Sequence, residues 1–255
     1  MKAIILAAGE GSRLHPYTLD RPKCLVEVDG KSLLDRQIEV LKSEGINEIV
    51  LIGGYRSEML DRKDTELRIN PIYSETNMVY TLFCAESELD NDLIISYGDI
   101  VYSKLVLNTL LKSDSDIAVA IDKDWESYWS ARNNNPLDDA ETLKLSKDGK
   151  IIEIGKTPNS FDEIEGQYMG LMKFSKKGIA LLSKVYHKCR QTTGILAGKP
   201  INKAYMTDLL QEMIDYDIRI DAVPISGGWV EVDTIQDLKL KITKNRLENI
   251  SIKSK

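Results

Sequence analysis

The sequence predicts an α/β protein with a doubly wound, mostly parallel sheet, and three observations carry that expectation. Short apolar runs recur at Ala3 to Leu6, Glu48 to Ile52, Leu93 to Ser96 and Ile117 to Ile121, separated by segments of helical periodicity. That alternation builds βαβ units. The first run shows no polar alternation, so it reads as a strand buried on both faces. A chain of 255 residues with 42% hydrophobic content can bury such a core, and it is read as one domain, 1–255.

The first strand runs into Ala7, Ala8 and Gly9, where the side chains shrink and the backbone can approach a ligand. Gly9 and Gly11 permit dihedrals by which successive N–H groups face one anion. Arg13, Arg21 and Lys23 add three cations to the same loop. Exposed amides and positive charge at the C-terminal end of a first parallel strand suit a triphosphate. Two better-known phosphate loops are excluded. The dinucleotide fingerprint G-x-G-x-x-G would need glycine at Leu14, with a helix opening at once. A Walker A loop ending at Gly30-Lys31-Ser32 would need its leading glycine at Leu25.

Gly30-Lys31 is read as a turn, and Ser32 with Asp35 as the cap of a helix carrying Leu34, Ile38 and Leu41 and closed by Gly45. The strand Glu48 to Ile52 ends in Gly53-Gly54-Tyr55, placed beside the first loop. A strand near Leu67 to Ile69 leads through Thr76-Asn77 into a helix carrying Val79, Leu82, Phe83 and Ala85. The strand at Leu93 stops at Tyr97-Gly98-Asp99; a helix from Lys104 to Lys112 and the strand Ile117 to Ile121 complete the first half, 1–121. From Asp122 to Trp129 three aromatics stand among charges, read as an insertion over the sheet edge. Asp148-Gly149 turns a hairpin between Leu143 to Leu145 and Ile151 to Ile154. Gln167 to Phe174 re-enters the sheet. Helices follow near Lys176 to Cys189 and Lys203 to Tyr216, then a strand at Ile218 to Val223. Thr234 and Asp237 cap a last helix packed through Ile235, Leu238 and Ile242, with a charged, frayed tail beyond Asn249.

Ala7-Ala8-Gly9-Glu10-Gly11-Ser12-Arg13-Leu14 followed by Pro22-Lys23 resembles the signature of nucleotidyltransferases such as the sugar-nucleotide pyrophosphorylases, A-A-G-x-G-(S/T)-R-L and then P-K. The resemblance extends through Gly98-Asp99 and Trp229-Val230-Glu231-Val232-Asp233. With the length and Thr76-Asn77-Met78-Val79-Tyr80, it is greatest toward the small bacterial cytidylyltransferases that activate phosphocholine, aminoethylphosphonate or phosphoglutamine. Asp122-Lys123-Asp124-Trp125 and Gly166-Gln167-Tyr168 are similar to the phosphoglutamine type. The resemblance implies a Rossmann-like nucleotidyltransferase fold, CTP and a small phosphorylated acceptor as substrates, and a product that serves as a cell-surface polysaccharide precursor. Residues 122–233 would form the acceptor-binding and sheet-completing half, and 234–255 the C-terminal helix and tail.

Nucleotidyl transfer needs a divalent ion against the triphosphate, here expected to be Mg2+, which takes one or two carboxylates plus phosphate oxygens and water. Asp99, directly after a buried strand, and Asp233, before the last helix, are the candidates, paired mainly by the resemblance. It also places Lys23 on the phosphates; Arg13 suits the departing pyrophosphate. The nucleotide site is expected from Ala7, Ala8, Gly9, Glu10, Gly11, Ser12, Gly53, Tyr55, Thr76, Asn77 and Gly98. Acceptor contacts are expected from Asp122, Asp124, Trp125, Tyr128, Arg132, Lys156, Gln167 and Tyr168. The spacing of Trp125, Tyr128 and Trp129 on one helix face fits core packing equally well.

A net charge of −6 argues against nucleic acid or an anionic membrane as partner. Cys24, Cys84 and Cys189, odd in number and far apart, read as reduced cytoplasmic thiols. The opening apolar run falls short of the roughly seven to fifteen residues of a signal core. A homodimer is carried as an expectation. Two other readings stay in view: a hexose-1-phosphate nucleotidyltransferase using UTP or dTTP, and a non-catalytic nucleotide-binding regulatory subunit.

Overall fold

The protein is described from a computed structural model that covers residues 1–252. Strand β1 (Lys2–Ala7) carries Ala3, Ile5 and Ala7 into one apolar core and Ile4 and Leu6 into another. A strand with both faces covered needs such an unbroken apolar run. A tight hairpin, β2 (Glu27–Val28) and β3 (Lys31–Ser32), turns through Asp29 and Gly30, both at positive φ. Ser32 Oγ accepts the Asp35 N–H at 3.0 Å and caps α1 (Leu33–Ser43), which buries Leu34, Ile38 and Leu41.

Strands β4 (Glu48–Gly53) and β5 (Glu66–Ile69), helix α2 (Met78–Phe83), strands β6 (Leu93–Tyr97) and β7 (Ile100–Tyr102), helix α3 (Lys104–Leu111) and strand β8 (Ile117–Asp122) follow as the periodicity requires. Helix α4 (Trp125–Arg132) precedes the hairpin β9 (Leu143–Leu145) and β10 (Ile151–Ile154), whose turn has Gly149 at φ +79°. Then come β11 (Gln167–Phe174), α5 (Lys176–Thr192), a hairpin of β12 (Ile195–Leu196) and β13 (Lys199–Pro200), and α6 (Met206–Asp215). Strands β14 (Asp221–Ile225) and β15 (Trp229–Glu231) and helices α7 (Ile235–Lys239) and α8 (Lys241–Ile252) complete the described chain.

The seven-stranded sheet has the order β14-β8-β11-β6-β1-β4-β5, drawing strands from both halves of the chain. Every pairing is parallel except those of β11, antiparallel to both β6 and β8. From β1 the chain winds outward through β4 to β5 and then returns to β6 on the other side of β1. The crevice beyond the C-terminal ends of β1 and β6 is therefore the topological switch point, where ligands bind in open α/β sheets.

Three expectations are corrected. The strand expected from Ile218 pairs only from Asp221, because Asp217 at φ +58° ends α6 and residues 218–220 return the chain to the sheet. Pro224 is tolerated there because β14 lies at an edge. The last helix breaks at Leu240, whose backbone is extended; Leu238 and Ile242 pack on the core, with Leu247 and Ile250 in place of Ile235. Helix runs past Asn249 to Ile252, and residues 253–255 of the expected frayed tail lie outside the described residues. Cys24, Cys84 and Cys189 are free thiols. Among the described residues no helix is long and apolar enough to cross a membrane.

Candidate active site

The loop after β1 is shaped around Lys23. Gly11 sits at φ +71° and opens a short turn, Ser12–Leu14, whose Leu14 is fully buried. Thr18 Oγ1 pins the loop by donating to the Gly11 carbonyl at 2.8 Å. A Cβ at Gly11 would stand 2.8 Å from Lys23 Cβ, so glycine is needed both for the left-handed backbone and for the lysine to pass. Gly9 differs from expectation: its φ is not positive, and a Cβ there would meet nothing within 4 Å. It leaves room beside the crevice and supplies no special dihedral.

Pro22 and the buried Cys24 and Leu25 anchor the turn that aims Lys23 inward. Lys23 Nζ donates to Asp99 Oδ2 at 2.7 Å and to Asp233 Oδ1. Asp233 Oδ2 is paired in turn with Arg13. Four residues thus share one charge cluster, in which Lys23 and Asp233 stand 210 positions apart in the chain. Burial acts to lower the pKa of Lys23, but Asp99, Asp233 and Glu231 outweigh it and hold the ammonium charged. Lysine therefore bridges the two carboxylates, which adjoin and need a cation between them, at the place where the resemblance expects phosphate. Asp99 Oδ1 is buried and has no hydrogen-bond partner among the described residues. Hard oxygen donors with one unspent lone-pair set fit a magnesium-type ion, which asks for only one or two protein carboxylates. Among the described residues no cluster of three or more His, Cys, Asp or Glu offers a fuller protein cage.

Two cavities meet at this cluster. The first is lined by Ala7, Ala8 and Gly9, by Lys23, Tyr73, Thr76, Asn77 and Thr81, and by Gly98 and Asp99. Gly98 is required by packing, since a Cβ would lie 2.8 Å from the Leu6 carbonyl oxygen. The second is lined by Arg13, Trp129, Asp139, Glu141, Gln167, Tyr168, Tyr205, Thr207, Glu231 and Asp233. Met78 and Tyr97 line both.

Of the expected nucleotide residues, Gly53 packs instead against Leu60 and Ser57, and Tyr55 braces the loop through its N–H to the Ala8 carbonyl and its hydroxyl to that of Leu19. Glu10 lies 3.8 Å from His15, and Ser12 starts the turn. Arg21 pairs with its neighbour Asp20 in a separate surface groove, away from the cluster.

The expected acceptor set divides more sharply. Gln167 and Tyr168 line the second cavity. Asp122 is fully buried: it accepts from the N–H groups of Asp124 and Gly227 at Oδ1 and from Trp229 Nε1 at Oδ2, locking the end of β8 to the segment before β15. Asp124 is exposed at the start of α4, Trp125 stacks on Phe161, and Lys156 pairs with Glu153. Tyr128 exchanges hydrogen bonds with the backbone of Glu231. Trp125 and Tyr128 pack edge to face on Trp129, and this part of the insertion joins the main core beside Trp229, whereas Asp124 and Lys156 stay at the surface.

Arg132 is corrected as well. Its guanidinium is 4% exposed, donates to Asp237 Oδ1 at 2.9 Å and Glu231 Oε2 at 2.6 Å, and lies over the Tyr128 and Trp129 rings. Asp237 in turn accepts the Asp233 N–H at 3.0 Å, so Arg132 orients the segment that presents Asp233. Burial works to raise the pKa of Asp237, but Arg132 and the Asp233 and Thr234 amides outweigh it. This stabilisation is present above the ordinary carboxylate pKa and is lost as pH falls through the depressed value. Arg132→Met leaves two acids in the interior without their cation, a loss of about 3–5 kcal/mol. Calorimetry is expected to show a fall in Tm on the order of 10 °C.

Residues 3–156 match the MobA-like NTP transferase domain family. The chain belongs to that family. It is a nucleotidyltransferase by this match and by its relatives. It is 45% identical to a CTP:phosphoglutamine cytidylyltransferase of Campylobacter jejuni, an alignment covering 96% of this chain and all of the relative. Identity to a UTP–glucose-1-phosphate uridylyltransferase of Haloferax volcanii is 32%, over 93% of each chain. The solved CTP:phosphocholine cytidylyltransferase of Streptococcus pneumoniae superposes with a TM-score of 0.74 at 24% identity, covering 96% of this chain and 98% of that one. The fold is thus the Rossmann-like nucleotidyltransferase fold expected from the loop after β1. Of the site, Glu231 lies inside the Trp229 to Asp233 motif and Tyr97 directly precedes Gly98-Asp99, so both are within reach of the sequence. Glu141, Tyr205 and Thr207 come from loops and helix ends that carry no motif.

Proposed function

We propose that this nucleotidyltransferase uses CTP and transfers CMP to phosphoglutamine, or to a closely similar phosphorylated acceptor bearing an ammonium group. The observation that carries the reading is the pair of cavities sharing Met78 and Tyr97 and joined at Lys23, Asp99 and Asp233. One holds the nucleotide, the other the acceptor, and their junction is where the transferred phosphorus must sit. The relation to the Campylobacter jejuni enzyme supports CTP and the acceptor class.

An anionic oxygen of the acceptor's phosphoryl group attacks the α-phosphorus of CTP. The bond from that phosphorus to the oxygen bridging to the β-phosphate breaks, and pyrophosphate leaves. No protein nucleophile is needed, because the attacking oxygen is already ionised. Asp99 and Asp233 would hold a divalent cation, proposed to be Mg2+, whose chemistry when bound is neutralisation of the triphosphate. With those carboxylates sharing a second positive charge, Lys23 at the same junction would be available to phosphate oxygens. Arg13, whose side chain is 63% exposed, would leave Asp233 for pyrophosphate, its fork of donors suiting spread negative charge. Gly9 and Gly98 keep the backbone close and uncovered at the same crevice.

The test is to incubate the protein with each nucleoside triphosphate and a panel of phosphoglutamine, phosphocholine, aminoethylphosphonate and glucose-1-phosphate, and to weigh the products. A CDP-linked product from phosphoglutamine is expected to form fastest. Faster turnover of glucose-1-phosphate with UTP or dTTP would move the chain to the sugar enzymes.

A further inference from the structure

The second cavity is negatively charged beyond what the divalent site needs. Asp139, Glu141, Glu231 and Asp233 line it against one cation, Arg13, which Asp233 already engages. Glu231 and Asp233 have assigned partners in Arg132 and Lys23. Glu141 has none of that kind: among the described residues its carboxylate makes no ion pair, and the nearby Lys199 is bound by both oxygens of Asp208, at 2.9 and 3.0 Å. Burial, with the Asp208 carboxylate adding to it, pushes the Glu141 carboxyl up to about 7. Glu141 is half-buried, and Thr207 gives it a side-chain hydrogen bond but no charge; an acid in that setting with no cation of its own is the group a ligand cation would complete.

A second observation points the same way. Trp129 is 4% exposed, lines this cavity, and has an indole N–H with no hydrogen-bond partner among the described residues. Tyr97 and Tyr168 stand edge to face with centroids 5.7 Å apart on the same wall. Aromatic rings beside a carboxylate that has no ion-pair partner are what an ammonium gains from.

We propose that Glu141 is the residue that selects the acceptor, seating its ammonium group beside the Tyr97, Tyr168 and Trp129 rings. The assignment rests on the cavity's being the acceptor site of the proposed reaction. It replaces Asp122 and Asp124 as the source of negative charge, since neither faces the cavity. Gln167, whose Oε1 accepts the Glu141 N–H at 3.4 Å, holds the segment in place.

The experiment compares wild type, Glu141→Gln and Glu141→Asp with phosphoglutamine and with its Nα-acetyl derivative, in which the ammonium has become a neutral amide. Glu141→Gln is expected to raise the acceptor KM about 10- to 100-fold, the scale of one hydrogen bond to a charged group. The KM for CTP should stay within about twofold, and Glu141→Asp should recover part of the loss. Acetylation should weaken phosphoglutamine strongly in wild type and by much less in Glu141→Gln. Equal sensitivity to acetylation in both proteins, with Tm unchanged, overturns the Glu141 assignment while leaving the cytidylyltransferase reading standing. A wild-type enzyme that ignores acetylation overturns ammonium recognition itself. A wild type that accepts only sugar phosphates removes both.

Discussion

Lys23→Met is expected to slow nucleotidyl transfer by about two orders of magnitude or more, the usual consequence of deleting a preorganised charge. The structure adds a second effect that a surface lysine could not produce. Lys23 is the shared partner of Asp99 and Asp233. Its loss leaves two carboxylates facing each other beside Glu231, so the protein without ligands should melt at lower temperature. A divalent ion at the same place should restore what the ammonium supplied. The variant's Tm is therefore expected to rise more with added Mg2+ than that of wild type, measured without nucleotide. An unchanged rate together with an unchanged Tm would make Lys23 an ordinary loop residue.

The parts of this molecule that were legible in the sequence are those where local chemistry permits one outcome. A continuous apolar run followed by Ala7-Ala8-Gly9 has to be a buried strand feeding a tight, ligand-facing loop, and Gly11 has to be glycine because Lys23 passes 2.8 Å from its missing Cβ. The turn at Gly149 and the cap at Ser32 were legible for the same reason. Charged residues were not, because a charge reads alike whether it meets a ligand or another residue of the chain. Arg132 and Asp122 looked like acceptor contacts; both are consumed inside, one by Asp237 and Glu231, the other by backbone amides and Trp229. Glu141 carries no such signal because its setting is assembled from Asp208, Thr207 and Lys199, more than 50 positions along the chain, which only the tertiary fold brings near. Arg21 shows the converse: it lies two residues from Lys23, yet the turn at Pro22 sends it to Asp20 on the surface.

Asp99→Asn and Asp233→Asn are each expected to remove most turnover, about a hundredfold or more, while preserving the fold. The two should differ in a way that tests the geometry. Asp99 has one oxygen on Lys23 and one buried oxygen with no partner, so its amide loses a ligand charge and little else. Asp233 has one oxygen on Lys23 and one on Arg13, so Asp233→Asn also removes the carboxylate that positions the guanidinium proposed to meet pyrophosphate. The Asp99 variant should therefore show mainly a weakened response to the divalent ion, with the Mg2+ concentration for half-maximal rate shifted upward. The Asp233 variant should add a raised KM for CTP, because Arg13 and Lys23 no longer share a fixed partner. Tm should change little in Asp99→Asn, since Lys23 keeps Asp233. Full wild-type activity in excess chelator would sink the metal assignment for both carboxylates; wild-type Mg2+ dependence in Asp99→Asn alone would leave Asp233 as the only ligand.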